Sequence, residues 1–157
     1  MTPEALVAVT EEFPTAEVSS EHGDVVARVP RDDVVGFMDA VRAAGYDLFL
    51  DLCAVDYLTR DPRFEIAINV VSPAAAERLR VLIGISGEDP RMGTITGVYP
   101  GANFYEREAF DLFGIEFQGH PDLSRILLPD EWVGHPLRKD SPVGSVPVQF
   151  KEANKVT

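Results

Sequence analysis

Five prolines are spread along the last third of the chain, at positions 121, 129, 136, 142 and 147. Proline fixes φ and lacks a backbone N–H, so it interrupts helices and is excluded from central strands. We therefore expect neither a long helix nor a central strand after Gly114. The same stretch is nevertheless too apolar for a solvated tail. Its large apolar side chains are Phe117, Leu123, Ile126, Leu127, Leu128, Trp132, Val133 and Leu137.

The length of 157 residues is typical of one domain. A structureless run as long as the proline-rich stretch is unusual inside a compact domain. We therefore predict two regions, an α+β domain at residues 1–114 and an extended partner-wrapping segment at residues 115–157. Since the first region is small, part of the surface that buries the second is expected to belong to another chain.

Residues 1–114 show alternating helical and strand periodicity. Apolar residues at 64, 66, 68 and 70 recur with the period of two of a half-buried strand. Short, turn-rich links between strands favour antiparallel hairpins. The expected fold class is α+β, with a mostly antiparallel sheet and helices packed on one face. The predicted elements are a helix at 3–13, strands at 16–19 and 24–29, a helix at 31–44, and strands at 46–57, 63–71 and 77–85.

A further helix is expected to begin at Asn103, a favourable N-cap residue. Glu106 then falls at the third helical position, where a capping-box carboxylate reaches back, and Gly114 ends the helix. Arg107 and Asp111 are four residues apart on the polar side, where their side chains can pair. The side chains expected to face inward are Tyr105, Ala109, Phe110, Leu112 and Phe113.

Composition excludes several classes of function. The formal net charge of −12 argues against nucleic acid as a partner, because phosphate binding needs a basic face. The single cysteine, Cys53, excludes an internal disulfide and a cysteine-built metal site, and its apolar neighbours predict a core position. No apolar run reaches about 18 residues. The acidic N-terminus does not resemble a signal peptide, so a cytoplasmic location is expected. His22 is expected to lie in a solvated turn.

The tripeptide Gly-His-Pro occurs twice, at 119–121 and 134–136. Metal ligation is one interpretation, although the two histidines lack the i, i+4 spacing of a helical zinc motif. The possible ligands are His120, Asp122, Asp130 and His135. Acid–base catalysis is a second interpretation, but the chain has no nucleophile motif and no glycine-rich phosphate loop. Its candidate carboxylates are Glu106, Glu108 and Asp111.

An interface with a buried polar network is the third interpretation, and the residues favour it. Each proline fixes the backbone after a histidine, so each tripeptide is a rigid corner. Trp132 and Phe117 are aromatic anchors of the kind that interfaces use. The residues suited to charge-assisted hydrogen bonds are Arg125, Arg138, Lys139 and Asp140.

The stretch from Ala102 to Pro142, ANFYEREAFDLFGIEFQGHPDLSRILLPDEWVGHPLRKDSP, closely resembles the signature of a known family. This family is the thirty-kilodalton subunit, or C subunit, of NADH–quinone oxidoreductase (respiratory complex I). VQFKEA at 148–153 is similar to the family's downstream segment, and the first hundred residues fit its N-terminal α+β domain in length and order. Phe104, Ser124 and Ser141 depart from the family pattern, which has Trp, Arg and an aromatic residue there.

The resemblance implies a peripheral-arm subunit on the cytoplasmic side of the membrane, without a flavin or iron–sulfur cluster of its own. It implies that the C-terminal segment wraps the hydrogenase-like D subunit, with subunits B and I or the NADH-binding module nearby. The complex would transfer electrons from NADH to quinone, coupled to ion translocation. The implied partner-binding residues are Glu106, Arg107, Glu108, Asp111, Gly119, His120, Pro121, Asp122, Arg125, Trp132, Gly134, His135, Pro136, Leu137, Arg138, Lys139 and Asp140.

Two alternatives stay open at the level of the sequence. One is the equivalent subunit of a related membrane-bound hydrogenase or ferredoxin-linked quinone oxidoreductase. The other is a free-standing metal-dependent enzyme that uses His120 and His135.

Overall fold

The computed structural model describes residues 4–21 and 23–142, so His22 and the 148–153 motif lie outside the described residues. A 3₁₀ turn at Arg31–Asp33 precedes the second helix. The helices and strands of the described residues are α1 (Glu4–Glu12), β1 (Glu17–Glu21), β2 (Asp24–Arg28), α2 (Val34–Ala43), β3 (Leu48–Asp56), β4 (Phe64–Ser72), β5 (Glu77–Ile85), β6 (Arg91–Gly93), α3 (Ala102–Phe113) and β7 (Glu116–Gln118).

Five strands form one sheet in the order β1-β2-β5-β4-β3. Short links make the β1–β2, β3–β4 and β4–β5 pairs antiparallel. Strands β2 and β5 pair in parallel, since α2 and the β3–β4 hairpin provide the long crossover between them. The mostly antiparallel α+β fold predicted from the sequence is thus confirmed.

Strands β6 and β7 form a separate parallel pair that the sequence did not predict. Each strand has only three residues, which is too short for a recognisable alternation. The two strands also lie on opposite sides of α3 in the chain. Their pairing therefore brings the residues that follow α3 back against the segment that precedes it.

The core lies between one face of the sheet and the helices. The alternation predicted for β4 is confirmed, because Phe64, Ile66, Ile68 and Val70 are all fully buried. The apolar stripe of α2 packs into the same core. Its buried members are Val34, Phe37, Met38 and Val41.

Two predictions about the burial of single residues were wrong. Cys53 is exposed rather than buried. It lies on the edge strand β3, where Leu52 faces the core and the next side chain faces outward, but apolar residues on both faces hide this alternation in the sequence. Phe117 is a fully buried core residue and not an interface anchor. The boundary at residue 114 stays a prediction, although Ile115 and Phe117 beyond it lie in the core.

Helix α3 begins earlier than predicted. Gly101 is its N-cap, so Asn103 lies within the helix, and Glu106 does not close a capping box. Tyr105 is exposed, contrary to the expected inward orientation. Gly114 ends the helix in the left-handed conformation, with φ of +75°, as predicted.

Candidate functional site

The carboxylate of Asp111 organises the segment that follows α3. It is fully buried, and its Oδ2 accepts hydrogen bonds from three consecutive backbone N–H groups, those of Ile126 at 3.1 Å, Leu127 at 2.8 Å and Leu128 at 2.9 Å. Its Oδ1 accepts a hydrogen bond from Arg125 at 2.6 Å. The expected pair between Arg107 and Asp111 is therefore wrong, because both side chains bind residues distant in the chain.

Opposing effects act on the pKa of Asp111. Burial alone would raise this pKa, but the three backbone N–H donors and the Arg125 guanidinium stabilise the charged form more strongly and lower the pKa to about 2. The carboxylate is thus ionised at neutral pH. It acts as the fixed charge around which residues 125–128 fold.

Arg125 extends this anchor to the second Gly-His-Pro corner. Besides Asp111, its guanidinium donates to the backbone carbonyls of Trp132 at 3.1 Å and Gly134 at 3.2 Å. Arg107 holds the start of the same segment, since it donates to the Ser124 carbonyl at 3.1 Å and to the Ser124 hydroxyl at 2.9 Å. The departure from the family pattern at Ser124 therefore supplies an acceptor for an arginine of α3.

The ring of His135 lies against the end of α3. Its Nδ1 is 2.9 Å from the Asp111 carbonyl oxygen, so Nδ1 carries the proton and donates. A Cβ at Gly114 would lie 2.6 Å from the His135 Cδ2 atom, which is too close for any other residue. Gly114 is thus required for two reasons, the left-handed turn and the approach of the imidazole. The Leu137 N–H then donates to the Leu112 carbonyl at 3.1 Å.

A second buried aspartate holds the end of the described segment. Asp56 accepts two hydrogen bonds from Arg63, at 2.9 and 2.8 Å, and one from the backbone N–H of Lys139 at 2.8 Å. These donors, Arg63 first, lower the pKa of Asp56 well below its usual range. Arg63 also pairs with Asp140 at 2.9 Å, and together with Arg138 it lowers the pKa of Asp140 to about 2.

Glu106 has a different environment from the aspartates. Its side chain is fully buried, and it accepts only two neutral hydrogen bonds, from the backbone N–H of Ile95 at 2.8 Å and from the Thr94 hydroxyl at 2.5 Å. Burial raises its pKa to about 7, against the lowering effect of these two donors. The Nε2 atom of His120 lies 4.0 Å from the Glu106 carboxylate.

His120 is held by backbone groups on both sides of its ring. Its Nδ1 accepts from the Asp122 N–H at 3.1 Å, so the proton lies on Nε2, which donates to the Asn103 carbonyl at 3.3 Å. His120 and His135 therefore bind opposite halves of α3. Among residues 4–21 and 23–142, no three His, Cys, Asp or Glu side chains are grouped so that they could hold a metal ion.

Most of the predicted site residues make hydrogen bonds within the chain, and the others lie at its surface. Gly119 and Gly134 have φ of +82° and +88°, which is consistent with sharp corners. Residues that bind within the chain through side chain or backbone are Glu106, Arg107, Asp111, His120, Asp122, Arg125, Trp132, Gly134, His135, Leu137, Arg138, Lys139 and Asp140. Glu108, Pro121 and Pro136 are exposed.

Sequence reasoning missed Asp56, Arg63 and Thr94. The first two could have been found from the β3–β4 hairpin, whose register pairs Asp56 with Phe64 and so places Arg63 next to it. Thr94 carries no such signal, because its contact with Glu106 depends on how α3 packs. The helices within the described part of the chain are too short or too polar to cross a membrane.

Comparisons with known proteins identify the family of this chain. A family model described as "Respiratory-chain NADH dehydrogenase, 30 Kd subunit" matches residues 27–146. The C subunit of NADH-quinone oxidoreductase from Roseiflexus castenholzii is 41% identical over 153 residues, which cover 94% of this chain and 88% of the relative. The same subunit from Geotalea uraniireducens is also 41% identical, over 88% of this chain and 87% of the relative.

Two solved structures have the same fold. The trypsin-resistant fragment (1–134) of Nqo5 is 34% identical, with a TM-score of 0.68, and covers 76% of this chain and 99% of its own. A chain of the membrane-bound sulfane sulfur reductase, an archaeal respiratory membrane complex, is 25% identical with a TM-score of 0.79, over 96% of this chain and 95% of its own. The chain therefore belongs to the family of the 30 kDa subunit of respiratory-chain NADH dehydrogenase.

Proposed function

We propose that this chain is a peripheral-arm subunit of NADH–quinone oxidoreductase with a structural role in assembly. It binds the hydrogenase-like D subunit through residues 119–142, with subunits B and I or the NADH-binding module nearby, on the cytoplasmic side of the membrane. It holds no flavin or iron–sulfur cluster. The transfer of electrons from NADH to quinone, coupled to ion translocation, is carried out by the whole complex.

The observation that carries this proposal is the exposure of apolar side chains on a backbone that is held in place. Leu127 is 59% exposed, Leu137 is 51% exposed and Val133 is 94% exposed. Free loops expose single apolar residues at little cost, but here the Asp111–Arg125 ion pair holds the backbone on both sides of Leu127 and Val133. The backbone N–H of Leu137 is bound to the Leu112 carbonyl. A surface of this kind is typical of a site that a partner covers.

The polar groups of the segment support a structural role. Arg125 and His135 direct their donors to carbonyl oxygens of the same chain, and Asp111 is saturated with donors. These groups stabilise the shape of the segment and leave few side chains free for acid–base chemistry.

Co-purification with the hydrogenase-like subunit tests the proposal. The wild-type chain should bind that subunit, carrying an affinity tag, in a stoichiometric complex. Leu137→Asp should reduce the bound fraction by about tenfold or more, because a charge would be desolvated at the interface. Val7→Asp on α1 is the matched control, since Val7 is 43% exposed. Failure of the wild-type chain to bind, or an equal loss with both variants, would contradict the proposal.

The absence of a resident cofactor is tested on the purified chain. Its visible absorption spectrum should show neither flavin nor iron–sulfur bands. Elemental analysis should give less than stoichiometric zinc, manganese and iron. Stoichiometric metal that is lost when His120 or His135 is replaced would instead support the metal-dependent enzyme.

The second candidate is the equivalent subunit of another membrane-bound respiratory complex. The similarity to a chain of the sulfane sulfur reductase, over 96% of this chain, is the observation that favours it. Purification of the native complex through this subunit separates the two candidates. NADH-dependent quinone reduction supports the first, and activity only with reduced ferredoxin or another donor supports the second.

A further inference from the structure

The Asp111–Arg125 ion pair binds the backbone on both sides of two exposed apolar side chains. Asp111 accepts hydrogen bonds from the backbone N–H groups of residues 126, 127 and 128, so Leu127 is the middle one of these three residues. Arg125 binds the carbonyls of Trp132 and Gly134, the two neighbours of Val133. One buried ion pair therefore determines the direction in which both Leu127 and Val133 point.

A turn connects these two side chains. The Trp132 N–H donates to the Pro129 carbonyl at 3.0 Å, which closes the turn over Asp130 and Glu131. Both acidic residues are exposed. In the described part of the chain, neither carboxylate has an ion pair or hydrogen bond, in contrast to Asp111 and Asp140.

From these contacts we propose that Leu127 and Val133, with the acidic turn Asp130–Glu131 between them, form a preformed docking epitope. The proposal rests on the proposed function. Its occupant is a neighbouring subunit whose surface has apolar pockets for the two side chains, with lysine or arginine side chains between the pockets. Leu127, Asp130, Glu131 and Val133 together form the 127–133 epitope.

Charge favours such an occupant over a second copy of this chain. The formal net charge of −12 makes two copies repel each other, and the epitope itself adds two negative charges where the surfaces would meet. A basic partner surface would pair with the turn and speed the encounter. The held backbone also lowers the ordering cost of binding, because residues 125–134 are fixed before the partner arrives.

Association kinetics with the purified hydrogenase-like subunit test the 127–133 epitope on the full chain. Asp130→Asn combined with Glu131→Gln should slow association by roughly tenfold at low salt and weaken its dependence on salt concentration. Leu127→Ala and Val133→Ala should instead speed dissociation by about tenfold or more. Circular dichroism should show an unchanged fold, since all four side chains are exposed.

Matched variants on α1 control for charge and for apolar area. Glu11→Gln with Glu12→Gln removes the same two charges from an exposed adjacent pair, and Val7→Ala shortens an exposed valine. Both should leave the rates within about twofold of the wild type. Dimers of the wild-type chain that Val133→Ala disrupts would overturn the assignment to a basic partner.

The outcomes separate the two proposals. If the wild-type chain does not bind the hydrogenase-like subunit at all, both the proposed function and the epitope fail. If it binds, and the acidic-turn variant has the rate and salt dependence of the wild type, the epitope fails while the proposed function stands. Slower association for the acidic turn but not for the α1 pair would support the 127–133 epitope.

Discussion

The two buried carboxylates of α3 lie about one and a half turns apart but have opposite electrostatic environments. Asp111 receives four hydrogen bonds, one of them from a guanidinium, and its pKa is lowered to about 2. Glu106 receives two neutral hydrogen bonds, and its pKa is raised to about 7. Both side chains are fully buried. Burial raises the pKa of both carboxyl groups, but only at Asp111 do the donors, more numerous and including a guanidinium, outweigh it.

The two ends of α3 consequently have different structural roles. The Asp111 end fixes residues 125–137, which carry the proposed interface. The Glu106 end binds Thr94 and Ile95, which follow β6, and so attaches α3 to the β6–β7 pair. A charged anchor suits the first role because it draws backbone N–H groups from an irregular segment, which has no ladder to satisfy them.

The largest expected effect comes from Asp111→Asn. This variant keeps the shape of the side chain but removes the charge and places an amide donor against either Arg125 or the three N–H groups. Breaking a buried, hydrogen-bonded ion pair typically costs about 3–5 kcal/mol, so the free energy of unfolding should fall by roughly that amount. Denaturant titration measures it, and hydrogen exchange should show faster exchange at the amides of residues 126–128.

Glu108→Gln is the control for this variant, because Glu108 is an exposed carboxylate on the same helix. Its cost should stay within about 0.5 kcal/mol. Equal costs for the two variants would show that Asp111 is not the anchor of the segment.

The sequence predicted the sheet and α2 well because these elements follow local periodicity. The alternation in β4 and the stripe in α2 are properties of neighbouring residues and need no knowledge of the fold. The partners of the carboxylates are a different matter. Arg107 and Asp111 have helical spacing that favours a pair, yet both bind residues after Gly119, where competing long-range donors and acceptors are better placed.

Glu106 shows the same limit at the start of α3. The motif Asn-Phe-Tyr-Glu satisfies the capping-box pattern, but the helix already begins at Ala102, and the carboxylate turns to Ile95 instead. A local motif describes one possible bond, and tertiary packing decides whether that bond forms. The structure shows where the candidate residues lie and which groups they bind, while their role in binding a partner stays a prediction.

The next prediction concerns the pH dependence of Glu106. Because its pKa rises from 4.5 to about 7 on folding, the folded protein binds more protons than the unfolded chain in that window. The contribution of Glu106 to stability should therefore fall as pH rises from about 4.5 to 7. Comparing the wild type with Glu106→Gln isolates the contribution of Glu106. Relative to the variant, the unfolding free energy of the wild type should fall by on the order of 2 kcal/mol between pH 5 and pH 8.

Asp111 and Asp140 behave in the opposite sense. Each has a pKa lowered from 3.8 to about 2, so its contribution is present above pH 4 and is lost as pH falls toward 2. The wild type could instead gain unfolding free energy relative to Glu106→Gln between pH 5 and pH 8. That result would contradict the contrast between the two ends of α3.

The smallest expected effect tests whether donor number sets the pKa of Glu106. Thr94→Val removes one of the two donors without changing the shape of the side chain, and losing a single neutral hydrogen bond costs about 1 kcal/mol. The pKa of Glu106, followed by NMR of its side-chain carboxyl carbon, should rise above that of the wild type because the Thr94 hydroxyl stabilises the charged form. Thr96→Val is the matched control, since the Thr96 hydroxyl contacts Thr94 rather than the carboxylate. Equal pKa values in the two variants would mean that burial alone sets the charge state of Glu106, and the contrast with Asp111 would then depend on the Arg125 charge and not on the count of donors.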